Sequence, residues 1–232
     1  MTNQNFSQRN KSFRKLFLKS NITFSNNPIN RLIGVQTEND KKILLKKLKD
    51  KISTISECKL KNNSNNIVFN DGNINSPIML IGEAPGQKED ELSKPFVGEA
   101  GSLLNKMLSA INLNRKDLYI TNVVNYRPPL NRKPDSNEIR RYSEFLLEHV
   151  DIIKPKIIIL LGSTAMEAFF GSNLKISKER GIWKEMLIKD KTFLTMVTFH
   201  PAYLLRQNDQ KKYSWIDLKN IRNKIDELKI DI

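Results

Sequence analysis

The sequence predicts an α/β fold, with three layers in the order α/β/α, a central four-stranded parallel sheet and a basic helical extension at the N-terminus. The first observation is that short apolar runs alternate with helical patterns from Pro77 onward. Such alternation indicates a parallel sheet that is covered on both faces. The second is that glycine, asparagine or histidine stands at the end of each apolar run. In parallel sheets ligands bind beyond these carboxyl ends.

Each predicted strand and helix rests on its own stretch of sequence. The predicted parallel strands are PIMLIG, DLYITNVV, PKIIILLG and KTFLTMVTFH. The segment GIWKEMLIK is a candidate to pair with the last of them. The predicted helices are AGSLLNKMLSAI, SNEIRRYSEFLLEHVDII, STAMEAFFG and KKYSWIDLKNIRNKIDEL. Strands and helices of this length and order predict one domain with a substantial core.

Positive charge is concentrated at the N-terminus. The 232 residues include 39 Lys or Arg and 25 Asp or Glu, a net charge of +14. Residues 1–60 hold 13 of the basic and 4 of the acidic residues. We therefore predict a basic, partly helical arm over residues 1–60 and an α/β/α domain over residues 61–232. The charge indicates nucleic acid or an anionic membrane surface as a partner.

The arm includes a predicted amphipathic helix. The segment NDKKILLKKLKDKISTISECKL has apolar residues near helical spacing and lysines elsewhere. This pattern is typical of a helix that packs one face inward. Two interpretations of the lysine face stay open, because it could be solvated or could face DNA.

Composition excludes several classes of protein. The longest apolar run falls short of the ~18 residues that a membrane span needs. The first 21 residues have neither an unbroken apolar core nor a small-residue cleavage site, so we expect no secretory signal. Cys58 is the one cysteine, which excludes an internal disulfide and fits a reducing cytoplasm.

Four segments in order carry a resemblance to a known family. GEAPGQKED…KPFVGEAGSLL, TNVVNYRPPLNRKP, IILLGSTA and TFHPAYLLR resemble the motifs of family 4 uracil-DNA glycosylases. The match runs from about Pro77 to Arg206, more than half the chain. The resemblance implies an α/β/α fold with a four-stranded parallel sheet. It also implies an enzyme that cuts the bond between uracil and deoxyribose and leaves an abasic site. Uracil-containing DNA is then the expected partner, and we expect a monomer.

The chemistry requires a pocket for a base that has been flipped out of the stack. Phe96 can offer a flat surface, and stacking is worth ~1–3 kcal/mol per base. Asn122 matches the family position that reads uracil O4 and N3–H, since an amide offers a donor and an acceptor together. Cytosine presents the reverse pattern and would leave buried groups unpaired. Gly82 and Gly86 let the backbone approach the base closely.

Bond breaking places negative charge on uracil, and a donor aimed at O2 stabilises it. His200 matches the family's histidine for this task. A carboxylate can stabilise the oxocarbenium-like sugar, and we favour Glu83, with Asn131 as a second candidate for holding water. Glu89 and Asp90 are open to two interpretations, as site acids or as helix N-terminal acids.

The remaining predicted contacts are with DNA. Ser102 and Ser163 can grip the strand together with backbone N–H groups. Leu204 is predicted to enter the gap that the flipped base leaves, and Arg206 to meet a phosphate. The alternative for Leu204 and Arg206 is ordinary helix packing and solvation. His149 lies in no motif, which favours a structural role.

One departure from the family concerns its iron–sulfur cluster. Family 4 members typically hold this cluster on four cysteines. The corresponding positions here are Cys58, Lys61, Tyr126 and Tyr142, and one thiolate cannot hold such a cluster. We therefore expect no cluster and no other cofactor, with the two tyrosines filling the space.

Two other function classes stay open. One is a non-catalytic or crosslinking relative that binds uracil-containing DNA, against which the presence of Glu83, Asn122 and His200 weighs. The other is a nucleotide-binding α/β module attached to replication machinery, which predicts affinity for free nucleotide and no preference for uracil.

Overall fold

The computed structural model describes residues 36–232. Most of the predicted arm therefore lies outside the described residues, and the division of the chain at residue 60 stays a prediction. Nine helices of four or more residues occur within the described range: α1 (Glu38–Ser53), α2 (Lys59–Asn62), α3 (Gln87–Leu92), α4 (Glu99–Ser109), α5 (Ser136–Ile153), α6 (Ser163–Phe170), α7 (Ile176–Glu179), α8 (Pro201–Arg206) and α9 (Lys211–Glu227). None of these helices is long and apolar enough to cross a membrane.

The strands form one sheet in the described residues. They are β1 (Asp71–Gly72), β2 (Ile78–Gly82), β3 (Tyr119–Asn122), β4 (Ile157–Leu161), β5 (Trp183–Ile188) and β6 (Lys191–Thr198). Their spatial order is β1-β3-β2-β4-β6-β5. The inner four strands are parallel, as the sequence predicts. The outer two are antiparallel to their neighbours, including the pairing of β5 with β6 that the sequence suggests.

Alternation along the strands divides the core into two apolar layers. In β2, Met79 and Ile81 pack in one layer, whereas Ile78 and Leu80 pack in the other. The first layer lies under α1, α5 and α6, and the second under α4 and α9. Because both faces are covered, every residue of β2, β3 and β4 is buried. The three-layer fold is therefore confirmed.

Helix α1 is the amphipathic helix that the lysine-rich segment predicts. Its buried side chains are Leu45, Leu48 and Ile52, which pack in the first apolar layer. Thr37 and Asp40 form a capping box at its N-terminus, which satisfies two backbone N–H groups. Residues 38–53 are thus packed against the α/β domain rather than free of it.

The structure also contains elements that the sequence pattern does not predict. These are the two-residue strand β1 and the short helices α2, α3, α7 and α8. Periodicity needs a longer window than two to six residues, so such elements leave no readable pattern. Helix α3 matters for the site, because it places Glu89 beside the loop of Phe96.

Candidate active site

The carboxyl ends of the parallel strands open into a cleft of about 730 Å³, a size that suits a small ligand or a nucleotide. Glu83, Asn122, Gly162 and His200 line it, and they lie at or just beyond the carboxyl ends of β2, β3, β4 and β6 respectively. Four segments that are distant in sequence therefore meet at one place, as the position of their polar residues predicts.

Gly82 allows two other residues to approach the end of β2. A Cβ at this position would lie 2.4 Å from Asn122 Oδ1 and 2.4 Å from Phe96 Cζ. Real Cβ atoms essentially never come this close to another atom, so a larger residue would displace Asn122 or Phe96. Gly82 is also the register partner of Asn122 across the sheet. The glycine thus brings the amide of Asn122 next to the ring of Phe96.

The side chain of Asn122 is 3% exposed, and its Oδ1 has no hydrogen-bond partner within residues 36–232. Buried polar atoms are nearly always hydrogen-bonded in native proteins. An orphaned amide oxygen in a cleft wall therefore indicates an acceptor that awaits a ligand donor.

Phe96 is held in an uncommon backbone conformation. Its φ is +54°, in the left-handed region that bulky residues avoid. Arg115 Nη1 donates to the Phe96 carbonyl at 2.7 Å. Glu89 Oε1 accepts from the N–H groups of Val97 at 2.8 Å and Gly98 at 2.7 Å. The ring is 5% exposed and lines the cleft, so these contacts fix a flat apolar surface there.

His200 is the N-cap of α8 and lines the cleft. Its Nδ1 accepts a hydrogen bond of 3.1 Å from the backbone N–H of Ala202. Desolvation lowers the pKa of His200 to about 4, with the nearby charge of Arg206 as the smaller cause in the same direction. The ring is therefore neutral at pH 7 and carries its proton on Nε2. Its centroid lies 5.5 Å from that of Phe96, with the planes 30° apart.

Glu83 has a partner that sequence reasoning missed. Thr164 Oγ1 donates a hydrogen bond to Glu83 Oε2, and Thr164 is fully buried in α6. The hydroxyl fixes one carboxylate oxygen, while Glu83 stays partly exposed to the cleft. The sequence gives no sign of this contact, because it joins residues that are 81 positions apart.

Asn131 lies in the loop between β3 and α5, on the cleft wall. Its Oδ1 accepts a hydrogen bond of 2.7 Å from Arg127 Nε. The side chain is exposed, and the bond to Arg127 leaves its amide nitrogen to face the cleft or solvent.

The remaining predicted substrate- and DNA-contact residues differ in their surroundings. Gly86, Ser163 and Arg206 line the cleft. Ser102 is exposed on α4, outside the lining. Leu204 is 1% exposed because it packs in the second apolar layer, so insertion between bases would require α8 to move. The wedge role of Leu204 stays a prediction.

The four positions of the family's cluster do not fit an iron–sulfur cluster. Cys58 Sγ lies 3.4 Å from the hydroxyl of Tyr142, and Tyr126 is buried in the same layer. Burial raises the pKa of both tyrosine hydroxyls, and Cys58 contributes to each increase. Lys61 Nζ instead donates to the Ser53 carbonyl at 2.6 Å. Within residues 36–232 no group of three or more His, Cys, Asp or Glu could hold a metal ion.

His149 is also placed away from the cleft. It is buried in α5, and its ring packs 4.5 Å from that of Phe69 and 5.9 Å from that of Tyr119. Its Nε2 has no hydrogen-bond partner among the described residues, and burial lowers its pKa to about 3.

The chain is similar to known proteins over most of its length. Residues 69–220 match the model of the uracil DNA glycosylase superfamily. A type-4 uracil-DNA glycosylase of Thermotoga maritima is 38% identical over 169 residues, which cover 72% of this chain and 86% of that protein. The protein of the same name from Sulfurisphaera tokodaii is 40% identical over 186 residues, 77% of this chain and 83% of that one. One from Saccharolobus solfataricus is 38% identical over 178 residues, covering 75% and 82%.

Proposed function

The chain belongs to the uracil DNA glycosylase superfamily, and we propose that it is a DNA-repair enzyme that removes uracil from DNA. The reaction hydrolyses the N-glycosidic bond between uracil and deoxyribose and leaves an abasic site. Relatives named type-4 uracil-DNA glycosylase support this function, since the chain spans more than four fifths of their length.

The orphaned Oδ1 of Asn122 is the observation that carries the proposal. Uracil offers an N3–H donor to this oxygen and an O4 acceptor to the amide nitrogen. Cytosine offers an acceptor at N3 and a donor at the exocyclic amine, so both pairings would fail. Leaving buried polar groups unpaired is the strongest way to reject a ligand.

In this mechanism, the target nucleotide leaves the base stack and its uracil lies on the ring of Phe96. The Nε2–H of the neutral His200 ring donates to uracil O2. Negative charge grows on that oxygen as the glycosidic bond lengthens, so the interaction strengthens most in the transition state. The lowered pKa of His200 suits this task. It keeps the ring neutral at pH 7, and the neutral ring stabilises O2 by donating a hydrogen bond from Nε2–H.

Glu83 faces the sugar in this scheme. Its carboxylate stabilises the positive charge that develops on deoxyribose and orients the attacking water. The hydrogen bond from Thr164 fixes one oxygen and leaves the other for these tasks. Asn131 is the second candidate for holding the water, since it also lines the cleft.

DNA is held by groups around the rim. The N–H groups that begin α6 and the hydroxyl of Ser163 can bind a phosphate, and Arg206 can bind another. Gly86 allows close approach of the backbone to the substrate. Ser102 is a more distant candidate for a contact with the same strand.

We further infer that the protein works without an iron–sulfur cluster. The contact between Cys58 and Tyr142, with Tyr126 buried in the same layer, supports the inference that these side chains fill the cluster's position.

We also propose that the protein acts as a monomer in the cytoplasm. All the proposed site residues come from one chain, and a single buried cysteine fits a reducing compartment.

The proposed function is tested with two oligonucleotides that differ only in carrying uracil or thymine at one position. Alkali cleaves the abasic product, so strand scission of the uracil strand alone supports the proposal. No scission of either strand would contradict it.

A further inference from the structure

Leu130 is the most exposed large apolar side chain within residues 36–232, with 97% of its surface accessible. A single exposed leucine is common and needs no explanation by itself. Leu130 differs from an ordinary exposed leucine in its backbone conformation and in its position beside the cleft.

The backbone of Leu130 lies in the left-handed region, with φ +55° and ψ +22°. Asn131, the next residue, also has a positive φ of +56°. Asparagine tolerates this conformation because its short side chain can hydrogen-bond locally, whereas leucine has no such compensation. Conformations of this kind persist only where the surroundings determine them, and they cluster at functional sites.

Several contacts hold the loop that carries Leu130. Pro128 and Pro129 precede it and fix their own φ angles. Arg127 Nε donates to Asn131 Oδ1 at 2.7 Å, which closes the loop across its tip.

The base of the loop is also fixed. Arg132 makes two hydrogen bonds of 2.7 and 2.6 Å to the carboxylate of Glu138 in the first turn of α5. Ser64 Oγ donates to the Arg127 carbonyl at 3.1 Å. The loop therefore presents the leucine in one place, and little conformational entropy remains to be lost on binding.

The position of the loop relates Leu130 to the cleft. Pro128 and Asn131, on either side of it, line the cleft wall, so the leucine stands at the rim. Its neighbour Arg127 makes no salt bridge with any described carboxylate. A duplex that delivers a nucleotide into the cleft brings its remaining base stack against the rim, of which this loop is a part. An apolar tip beside a cation matches the chemistry of stacked bases beside phosphates.

We propose that Leu130 is a wedge that enters the base stack beside the flipped nucleotide. The proposal rests on the proposed function, because the wedge needs a nucleotide that leaves the stack. Its side chain would occupy apolar space between bases and so hold the duplex open. The sequence predicts a similar role for Leu204, but Leu204 is buried in α8 whereas Leu130 is exposed.

The wedge predicts a difference between duplex and single-stranded substrates. A single strand has no paired stack to open, so Leu130→Ala should cleave single-stranded uracil DNA at the wild-type rate. On duplex DNA the same variant should be slower by about tenfold or more, since separating a base step is costly. Leu130→Met keeps a flexible apolar side chain and should restore most of the duplex rate.

Two variants serve as controls. Leu187→Ala removes another exposed leucine, 70% accessible, from β5 outside the cleft lining, and should leave both rates unchanged. Leu130→Gly removes the side chain and also relieves the strain of the left-handed backbone. If Leu130 is a wedge, this variant should be as slow on duplex DNA as Leu130→Ala. Thermal unfolding of each variant verifies that the fold is intact.

The measurement combines single-turnover cleavage with the fluorescence of 2-aminopurine placed next to an abasic site in a duplex. Wild type and Leu187→Ala should raise the fluorescence by unstacking the probe, and Leu130→Ala should not. Equal duplex rates and equal fluorescence for wild type and Leu130→Ala would overturn the wedge while leaving the glycosylase function intact. Equal slowing of duplex and single strand would also overturn it. If wild type releases no uracil, the proposed function fails, and the fluorescence alone decides whether Leu130 enters the stack.

Discussion

The Nδ1 of His200 accepts a hydrogen bond of 3.1 Å from the backbone N–H of Ala202. This contact leaves Nε2 as the nitrogen that carries the proton of the neutral ring. Burial holds the pKa of His200 at about 4, so the ring stays neutral throughout the physiological pH range. The hydrogen bond at the helix N-cap thus sets the tautomer of the proposed leaving-group donor, and desolvation keeps its ring neutral.

Replacing His200 by Ala should slow the chemical step and leave product binding nearly intact. The lost interaction forms mainly as charge develops on uracil O2, and removal of one such donor typically lowers the rate by ~10²–10³. Single-turnover cleavage with enzyme in excess measures the rate, and titration of an abasic duplex measures product affinity. Wild-type cleavage by His200→Ala would show that the histidine does not stabilise the leaving group.

Asn122→Asp should lower the rate on uracil by about a hundredfold or more, because it exchanges the amide donor for a group that repels O4. Thermal unfolding of the variant verifies that it is folded, because a carboxylate at this buried position can be destabilising. The same variant is assayed on a cytosine-containing strand, where a weak gain of activity is expected. Undiminished uracil release would exclude Asn122 as the residue that reads the base.

Thr164 is expected to position Glu83 without touching substrate. Thr164→Val keeps the shape but removes the hydroxyl donor, so we expect kcat to fall by about tenfold and KM to change little. Thr164→Ser retains the donor and should keep most of the activity. If the valine and serine variants have equal kcat values, the hydrogen bond to Glu83 has no part in catalysis.

The protein should purify colourless and free of iron. Cys58 is the one thiol at the four cluster positions, and it already contacts Tyr142. Iron content and visible absorption are measured after anaerobic purification, so that oxidation cannot remove a cluster. Stoichiometric iron with thiolate-to-iron absorption would contradict this expectation.

His149 should make the folded state sensitive to acid. Its pKa is about 3 when folded and about 6.5 when unfolded. Between these values the unfolded chain binds a proton that the native chain does not. Stability therefore falls as pH falls from 6.5 toward 3, by up to about 1.4 kcal/mol per pH unit for one such group.

The variant His149→Phe tests this linkage. Its free energy of unfolding should depend less on pH between 6.5 and 4 than that of wild type, as measured by urea denaturation at several pH values. Carboxylates and His200 titrate alike in both proteins, so the difference isolates His149. Identical pH slopes would mean that the histidine is not buried as a neutral ring.

The sequence predicts those parts of the fold that depend on periodicity and chain order. The long apolar runs predict the four parallel strands, and their ends predict that Glu83, Asn122 and His200 lie together. The predicted helix SNEIRRYSEFLLEHVDII has the same bounds as α5, and a capping box of Asp135 and Glu138 fixes its N-terminus.

Other features depend on contacts between distant segments and could not be predicted. Thr164 reaches Glu83 across 81 residues, and Arg115 reaches the Phe96 carbonyl across 19. The burial of Leu204 depends on how α8 packs against the second apolar layer. The exposure of Leu130 depends on a left-handed turn. No glycine stands beside Leu130 in the sequence to indicate such a turn.

The most direct test of the account is the release of uracil by the wild-type protein. Two oligonucleotides that are identical except for uracil or thymine at one position are incubated with excess enzyme, treated with alkali and separated by length. The account predicts strand scission at uracil and none at thymine. Loss of scission in the Asn122→Asp variant would connect the activity to the cleft. Intact uracil strands after incubation with folded wild-type protein would contradict the account and favour a protein that only binds DNA.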